Sequence, residues 1–326
     1  MIGVVYSAVI SSCALAIFAV GYILYYNGFS FNSVLIKRFV RFSWPLWLAG
    51  FSGLYVGSSS QVYIKFFSDL TNVGIFELSS KFAAMLGILI WAPFSQWWQT
   101  ERFKIYQSDD KGVTIFPVVF NAMAIILTFA GLGITLFGET VIRLMADAAF
   151  YSAAVAIPFL VVAKIFGELT NFFRFSFLVT ENTLFMAYIG YASAVSLTVF
   201  LVVLVPIYGF IGAAIAIMIN NILVFVVFSR YSKKYFDNHI VFDLFVKLMS
   251  VLVVIIFINY LLGKAEFSIL WDLQIKIWLT LIYIIAIGVF VWQDKNMKAL
   301  FIELFNYIRK RFGGGKSDRN SSYDER

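Results

Sequence analysis

The sequence has few of the side chains on which most active sites depend. Its 326 residues include one cysteine and one histidine, and only 13% are charged. Cys13 cannot form a disulfide within the chain. With His239 as the sole imidazole, the composition argues against a Cys/His metal site or a Cys–His nucleophile pair. The sequence also lacks a glycine-rich phosphate loop and a spaced D-x-D pair. We therefore expect neither an enzyme nor a cofactor-binding protein.

Hydrophobic residues, in contrast, make up 61% of the chain, well above the content of soluble domains. A transmembrane helix needs roughly 20 mainly apolar residues, and about nine segments satisfy this requirement. They are too long and too uniformly apolar for the alternating strands of a membrane barrel. The predicted fold is all-α, a polytopic transmembrane helical bundle with about nine spans. The predicted spans are residues 2–26, 44–64, 72–98, 114–137, 152–169, 184–205, 208–229, 247–263 and 277–293.

The lysines and arginines between these segments are concentrated on alternate connections. One set contains residues 37–41, 102–111, 174 and 230–247 and the chain after residue 292, whereas the other set has only isolated cations. The positive-inside rule assigns the first set to the cytoplasm. We therefore expect a multi-pass protein of the inner (cytoplasmic) membrane, with its N-terminus outside and its C-terminus inside. The net charge of +7 thus indicates orientation rather than a nucleic-acid partner.

Two connecting regions have predicted structures of their own. Residues 27–43 include a basic amphipathic stretch, which we expect to lie on the inner membrane surface before Pro45 opens the second span as its first helical residue. Residues 294–326 begin with apolar residues at helical spacing, which predicts an interfacial helix. From Gly313 onward Gly, Ser and charged residues dominate, which predicts disorder. An odd number of spans with an external start is what a chain lacking its N-terminal portion would show.

Charged side chains inside the apolar segments are the main candidates for function, because each costs a few kcal/mol in a bilayer unless it is paired or faces water. Glu77 and Lys81 share a helix face at i, i+4 and can neutralise each other. Lys164 and Glu168 have the same spacing, and Arg174 follows them. These groups are interpreted as the lining of a polar interior. The alternative is that they are self-satisfied ion pairs near the membrane surfaces.

Further polar residues interrupt the apolar character of other segments. Lys65, at the end of the second span, is either a cation of the same interior or an anchor that extends to the membrane surface. Gln61, Asn220 and Asn221 either line a cavity or hydrogen-bond neighbouring helices, which is the commoner role of such groups in membranes.

Several short sequences occur in an order typical of one transporter family. They are residues 41–46 (RFSWPL) at the entry to a span, 72–76 (NVGIF) with Lys81 a turn later, 92–94 (APF), and 206–214 (PIYGFIGAA). Over roughly residues 1–235 the chain resembles the polysaccharide-transporter flippases (Wzx type) of the MATE-like multidrug/oligosaccharidyl-lipid/polysaccharide exporter superfamily. Relatives often carry an acidic residue at the place where this chain has Gln61, which leaves open any cation coupling there.

The resemblance implies both a domain organisation and a function. Residues 1–26 would be the last helix of an N-terminal lobe, 27–43 a cytoplasmic linker, 44–235 the C-terminal lobe, 236–293 two additional helices, and 294–326 a cytoplasmic helix and tail. Most of the first lobe would be missing, as in an N-terminally truncated member. The family alternates between inward and outward openings and moves lipid-linked oligosaccharide units across the inner membrane for surface polysaccharide such as O-antigen, capsule or exopolysaccharide.

The implied substrate is an undecaprenyl-diphosphate-linked oligosaccharide, and the implied partners are membrane lipid and other polysaccharide-assembly proteins. Lys81, Lys164, Arg174 and Lys65 would contact the diphosphate, because Arg binds it bidentately and Lys as a point charge. Glu77 and Glu168 would tune those cations or carry a coupling proton.

Other functions remain open. One is a cation-coupled multidrug exporter or a peptidoglycan-precursor exporter of the same superfamily. An exporter of cationic drugs should favour unpaired intramembrane acids over lysines, and the sequence does not show that pattern. Another is a membrane-embedded polysaccharide polymerase or ligase, which needs an extended external loop with catalytic residues. The longest candidate loop, residues 138–151, carries only Glu139, Arg143 and Asp147. A non-functional truncated product is the last alternative.

Overall fold

The computed structural model describes residues 2–28, 32–108, 112–263, 269–294 and 297–298. Of these residues 92% are helical and none lies in a strand, which confirms the all-α prediction. The helices are α1 (Ile2–Asn27), α2 (Ser33–Phe67), α3 (Leu70–Met85), α4 (Ala92–Gln107), α5 (Ile115–Met145), α6 (Ile157–Val179), α7 (Thr183–Tyr235), α8 (Asp243–Leu262) and α9 (Ile269–Gln293). A π-helical turn, Leu86–Trp91, joins α3 to α4, and a 3₁₀ segment, Ala148–Val155, precedes α6.

The chain divides into two compact units, Met1–Trp44 and Pro45–Arg326. In the first unit, α1 is apolar, and those of its side chains that are described are exposed along the whole helix. Such a surface is typical of a helix in contact with hydrocarbon. The second unit contains the buried core and every candidate site residue. Most of the predicted amphipathic helix and tail, 294–326, lies outside the described residues.

Within the described residues, six helices are long and apolar enough to cross a membrane, or seven if the 3₁₀ segment and α6, which meet at 48°, form one bent span. The chain is thus compatible with a multi-pass membrane protein, but the predicted count of about nine is not confirmed. Two regions account for the difference. The predicted span 44–64 lies in α2, where Ser58, Ser59, Ser60 and Gln61 lower the apolar content. The predicted spans 184–205 and 208–229 both lie in α7.

The long helix α7 consists of two arms that meet at Gly209, close to the boundary between the predicted spans 184–205 and 208–229. Gly209 has φ 56° and ψ −136°, a conformation that side-chain-bearing residues rarely adopt. Contacts between the arms show that they lie antiparallel, since Asn220 Nδ2 donates to Ser193 Oγ at 2.9 Å. The rings of Phe185 and Tyr231, further from the break, are 5.0 Å apart.

The prediction that Pro45 begins the second span is wrong. Helix α2 begins at Ser33, and Pro45 lies inside it. The helix begins earlier because the Asn32 side chain accepts hydrogen bonds from the backbone N–H groups of Val34 and Leu35, at 3.0 and 3.2 Å. This is a normal N-cap, and no breaker follows it before Pro45. Residues 33–43 of the predicted linker are therefore helical.

Packing in the second unit is centred on α6, which contacts α3, α5 and α7. Two glycines of α5 allow close approach, because a Cβ at Gly131 or Gly138 would lie 2.9 Å from a side-chain carbon of α6. Toward the C-terminal end of α6 an aromatic cluster forms, in which Phe172 contacts Trp98 and Phe120. Trp98 is 2% exposed within this cluster. Close packing of this kind, rather than water exclusion, holds helices together in lipid.

Candidate functional site

Four polar side chains follow one another along α6, and we call them the α6 stripe: Lys164, Glu168, Asn171 and Arg174. Lys164 Nζ lies 2.7 Å from Glu168 Oε1. Asn171 Nδ2 donates to Glu168 Oε2 at 3.4 Å, and Arg174 donates from a terminal nitrogen to Asn171 Oδ1, also at 3.4 Å. The spacing of four, three and three residues keeps all four on one helix face. The stripe extends about 15 Å along the helix axis.

The two ends of the α6 stripe differ in how their cations are satisfied. At one end the side chain of Glu168 is 11% exposed and neutralises Lys164, whose side chain is 38% exposed. At the other end the Arg174 guanidinium lies over the ring of Phe228, 5.3 Å from its centroid. Among the described residues Arg174 has no carboxylate within ion-pair distance, and its buried Nε has no hydrogen-bond partner. The stripe therefore has an excess cation with an unused donor.

Neighbouring elements fix the stripe from two sides. From α7, Asn221 Nδ2 donates to the Ala163 carbonyl at 2.9 Å. Gly167 leaves room for this amide, since a Cβ there would lie 3.4 Å from Nδ2. From the π-helical turn, Gly87 lies against the side chains of Lys164 and Glu168. The structure thus brings together four of the predicted site residues, namely Lys164, Glu168, Arg174 and Asn221.

A second polar contact joins α2 to α3. Gln61 Nε2 donates to Glu77 Oε1 at 2.5 Å, and both side chains are half-buried. The expected ion pair between Glu77 and Lys81 is not formed within the described chain. Gln61 reaches the carboxylate from another helix, while Lys81 is exposed. Lys65 is also exposed and has no ion-pair partner in the regions that the structure describes.

Asn220 differs from its neighbour Asn221 in location. It is 1% exposed and ties the two arms of α7 together through its contact with Ser193. This contact favours helix packing, the alternative noted from the sequence, over a role in a cavity.

A groove of about 1620 Å³ lies among α5, α6, α7, α8 and α9. None of the nine residues selected from the sequence lines it. Its walls are mainly aliphatic and aromatic, with Phe166, Phe225, Phe245 and Val253 among them. The lining extends from Phe242, just before α8, to Gly263, just after it. The groove therefore follows a helix of 20 residues, about 30 Å in length, which equals the thickness of a hydrocarbon core.

Charged groups lie in the lining of this groove. Two ion pairs at i, i+4 are among them. Arg143 Nη2 lies 2.8 Å from Glu139 Oε1, and Lys276 Nζ lies 2.7 Å from Asp272 Oδ2. Lys276 is 3% exposed and also donates to Thr140 Oγ1 at 3.0 Å. Arg230, near the end of α7, is exposed. The i, i+4 spacing of the two pairs is visible in the sequence, but the groove that they line is formed by tertiary packing.

Metal ligands and similarity to other proteins were the two remaining sources of functional information. In the described part of the chain, no group of three or more His, Cys, Asp or Glu side chains comes together in a way that could hold a metal ion. Comparisons with protein-family models, curated proteins and solved structures found no match. The resemblance to the flippases therefore stays a prediction from the residues.

Proposed function

We propose that this chain takes part in moving an anionic, lipid-linked oligosaccharide across the cytoplasmic membrane, and that the α6 stripe binds the phosphate groups of that lipid. The single observation that carries the proposal is Arg174, a cation on an apolar helix that is paired with no carboxylate in the described regions and has an unused buried Nε donor. A polar group in this condition is costly unless a ligand satisfies it.

The chemistry of the stripe suits a diphosphate better than a neutral or cationic substrate. Two cations and one carboxylate leave an excess of positive charge, and a guanidinium binds phosphate oxygens bidentately. Asn171 contributes an amide to the stripe, and Asn221 lies beside it with a second amide. Amide groups of this kind are suited to hydrogen bonds with sugar hydroxyls. Glu168, between the two cations, would then tune the charge of Lys164.

The groove supports a lipid rather than a water-soluble substrate. Sites for drug-sized molecules are roughly 300–1,000 Å³, so a groove of about 1620 Å³ suits a longer ligand. Its apolar walls follow α8 along its whole length, as an isoprenoid chain would require.

The direct test is the affinity of the purified full chain in detergent for undecaprenyl diphosphate, measured by titration calorimetry. Arg174→Gln should weaken binding by roughly 10- to 100-fold, because a hydrogen bond to a charged group contributes about 1.5–3 kcal/mol. The matched control is Lys104→Gln, which removes a cation whose side chain is 65% exposed and paired with Glu101. Undecaprenol, which lacks the phosphates, should bind the wild-type chain weakly. Equal affinity of the Arg174 variant and the wild type would remove the stripe from the proposal.

The groove has its own test with a matched pair of neighbours. Val253 and Val254 are 53% and 54% exposed, but only Val253 lines the groove. Val253→Trp should fill part of the groove and weaken binding of the lipid diphosphate, whereas Val254→Trp should not. If the two variants bind equally, the groove does not hold the lipid chain.

Export of a cationic compound is the second candidate, and one observation favours it. Glu77 accepts a hydrogen bond from Gln61 and has no cation within ion-pair distance among the described residues. A half-buried carboxylate of this kind is what a cation-binding transporter needs. Binding of a lipophilic cation such as tetraphenylphosphonium that is lost in Glu77→Gln, and is unaffected in Arg174→Gln, would favour this function over the first.

A further inference from the structure

The π-helical turn between α3 and α4 changes the hydrogen-bond register of the helix. The backbone N–H of Ala92 donates to the Gly87 carbonyl, five residues earlier, instead of four. Pro93 follows directly and has no N–H with which to continue an i→i−4 series. The wider turn therefore lies where the α-helical pattern would be interrupted. Such π turns are uncommon and are often found at functional sites.

Gly87, within this turn, is in tight contact with the charged end of the α6 stripe. A Cβ at position 87 would lie 2.7 Å from Lys164 Cε, 2.9 Å from Lys164 Nζ and 3.0 Å from Glu168 Oε1. The first two distances are shorter than Cβ contacts in real structures. The ion pair is therefore seated against the bare backbone of the π turn, and only glycine leaves it in this position.

We propose that Gly87 is a positioning residue, which holds the Lys164–Glu168 pair where Lys164 can contact the phosphate of the lipid substrate. This inference rests on the proposed function and adds to it a residue on another helix. The π turn supplies the position, and the missing side chain of Gly87 supplies the space. An added methyl group would displace the Lys164 ammonium from Glu168 and from the line of the stripe.

The atoms in contact indicate that the effect would be on the ion pair rather than on folding. All three atoms near Gly87 are ends of flexible side chains, which can move without shifting a backbone. Gly131 provides the comparison, because a Cβ there would meet Val161 Cγ1 at 2.9 Å and Ile165 Cδ1 at 3.1 Å. These are short, branched or core side chains of the same helix, α6, and they carry no charge. The two glycines thus present a similar steric demand with different chemistry.

The experiment is a double-mutant cycle on the full chain in detergent, with affinity for undecaprenyl diphosphate and the thermal midpoint as readouts. Lys164→Ala should weaken binding by roughly 10-fold, and Gly87→Ala by roughly 3- to 10-fold, which lies within the range of coupling between residues in contact. In the Lys164→Ala background, Gly87→Ala should have no further effect. Gly131→Ala should lower the thermal midpoint without changing the affinity.

Four results would overturn the inference. The first is wild-type affinity in Gly87→Ala, and the second is an equal loss with and without Lys164, which would show that Gly87 does not act through the pair. The third is a Gly87→Ala chain that fails to fold and is not rescued by Lys164→Ala. The fourth is wild-type affinity in Lys164→Ala, which removes Lys164 from binding. In each case the Arg174→Gln titration still tests the proposed function independently of Gly87.

Discussion

Replacing Glu168 by Gln should lower the free energy of unfolding, because Lys164 in the α6 stripe then has no ion-pair partner. The substitution keeps the shape of the side chain and a carbonyl that Asn171 can reach, but it removes the charge that lies 2.7 Å from Lys164 Nζ. An exposed ion pair contributes about 0–1 kcal/mol, and loss of one partner from a buried pair costs about 3–5 kcal/mol. Since Glu168 is 11% exposed and Lys164 is 38% exposed, we expect a loss of about 1–2 kcal/mol in the free energy of unfolding.

The measurement is reversible unfolding of the full chain in mixed micelles, followed by tryptophan fluorescence. Glu101→Gln is the control, because its pair with Lys104 has the same donor–acceptor distance of 2.7 Å but side chains that are 30% and 65% exposed. The control should change stability by less than about 0.5 kcal/mol. Affinity of Glu168→Gln for undecaprenyl diphosphate should rise, since the stripe loses a negative charge while Gly87 still leaves the space that keeps Lys164 in line with it. Equal destabilisation by both substitutions, or weaker binding in Glu168→Gln, would refute the assignment of Glu168 as a charge-tuning group.

Three other substitutions have definite expected outcomes. Gly209→Ala should destabilise the chain by about 1–3 kcal/mol through backbone strain at positive φ. The control is Gly133→Ala, at a helical glycine that also has open space around it, and it should not destabilise the chain. The thermal midpoints of the two variants are compared. Lys276→Met should cost about 1–3 kcal/mol in unfolding free energy, because Asp272 and Thr140 lose their partner; an unchanged midpoint would show that the pair is unimportant for stability. Gln61→Leu should make the Glu77 carboxylate more reactive toward a hydrophobic carbodiimide, and equal labelling of variant and wild type would contradict the 2.5 Å contact.

Helix type and the break in α7 could be predicted because each depends on local composition. Uniformly apolar segments of sufficient length favour helices in a bilayer, and Pro206 with Gly209 marks a position where a helix cannot continue unchanged. The start of α2 could not be predicted as easily. Pro45 is a stronger signal in the sequence than Asn32, but an N-cap acts wherever its side chain meets free N–H groups. A proline can then be accommodated within a helix that has already begun.

Ion-pair spacing was a reliable guide only where no third side chain competed. In the part of the chain that the structure describes, four i, i+4 pairs form, including Lys164–Glu168 and Lys276–Asp272. Glu77 and Lys81 have the same spacing, but they form no ion pair among the described residues. The Gln61 amide, on α2, donates a hydrogen bond to the Glu77 carboxylate instead. Spacing along one helix determines which groups can meet, whereas packing between helices decides which partner is present. This competition leaves Lys81 without its carboxylate, and Arg174 has no acidic residue four positions away on either side. Of these two cations only Arg174 lies in a continuous polar stripe with a buried, unused donor. For this reason the Arg174 titration, and not a Lys81 variant, is the decisive experiment on the proposed site.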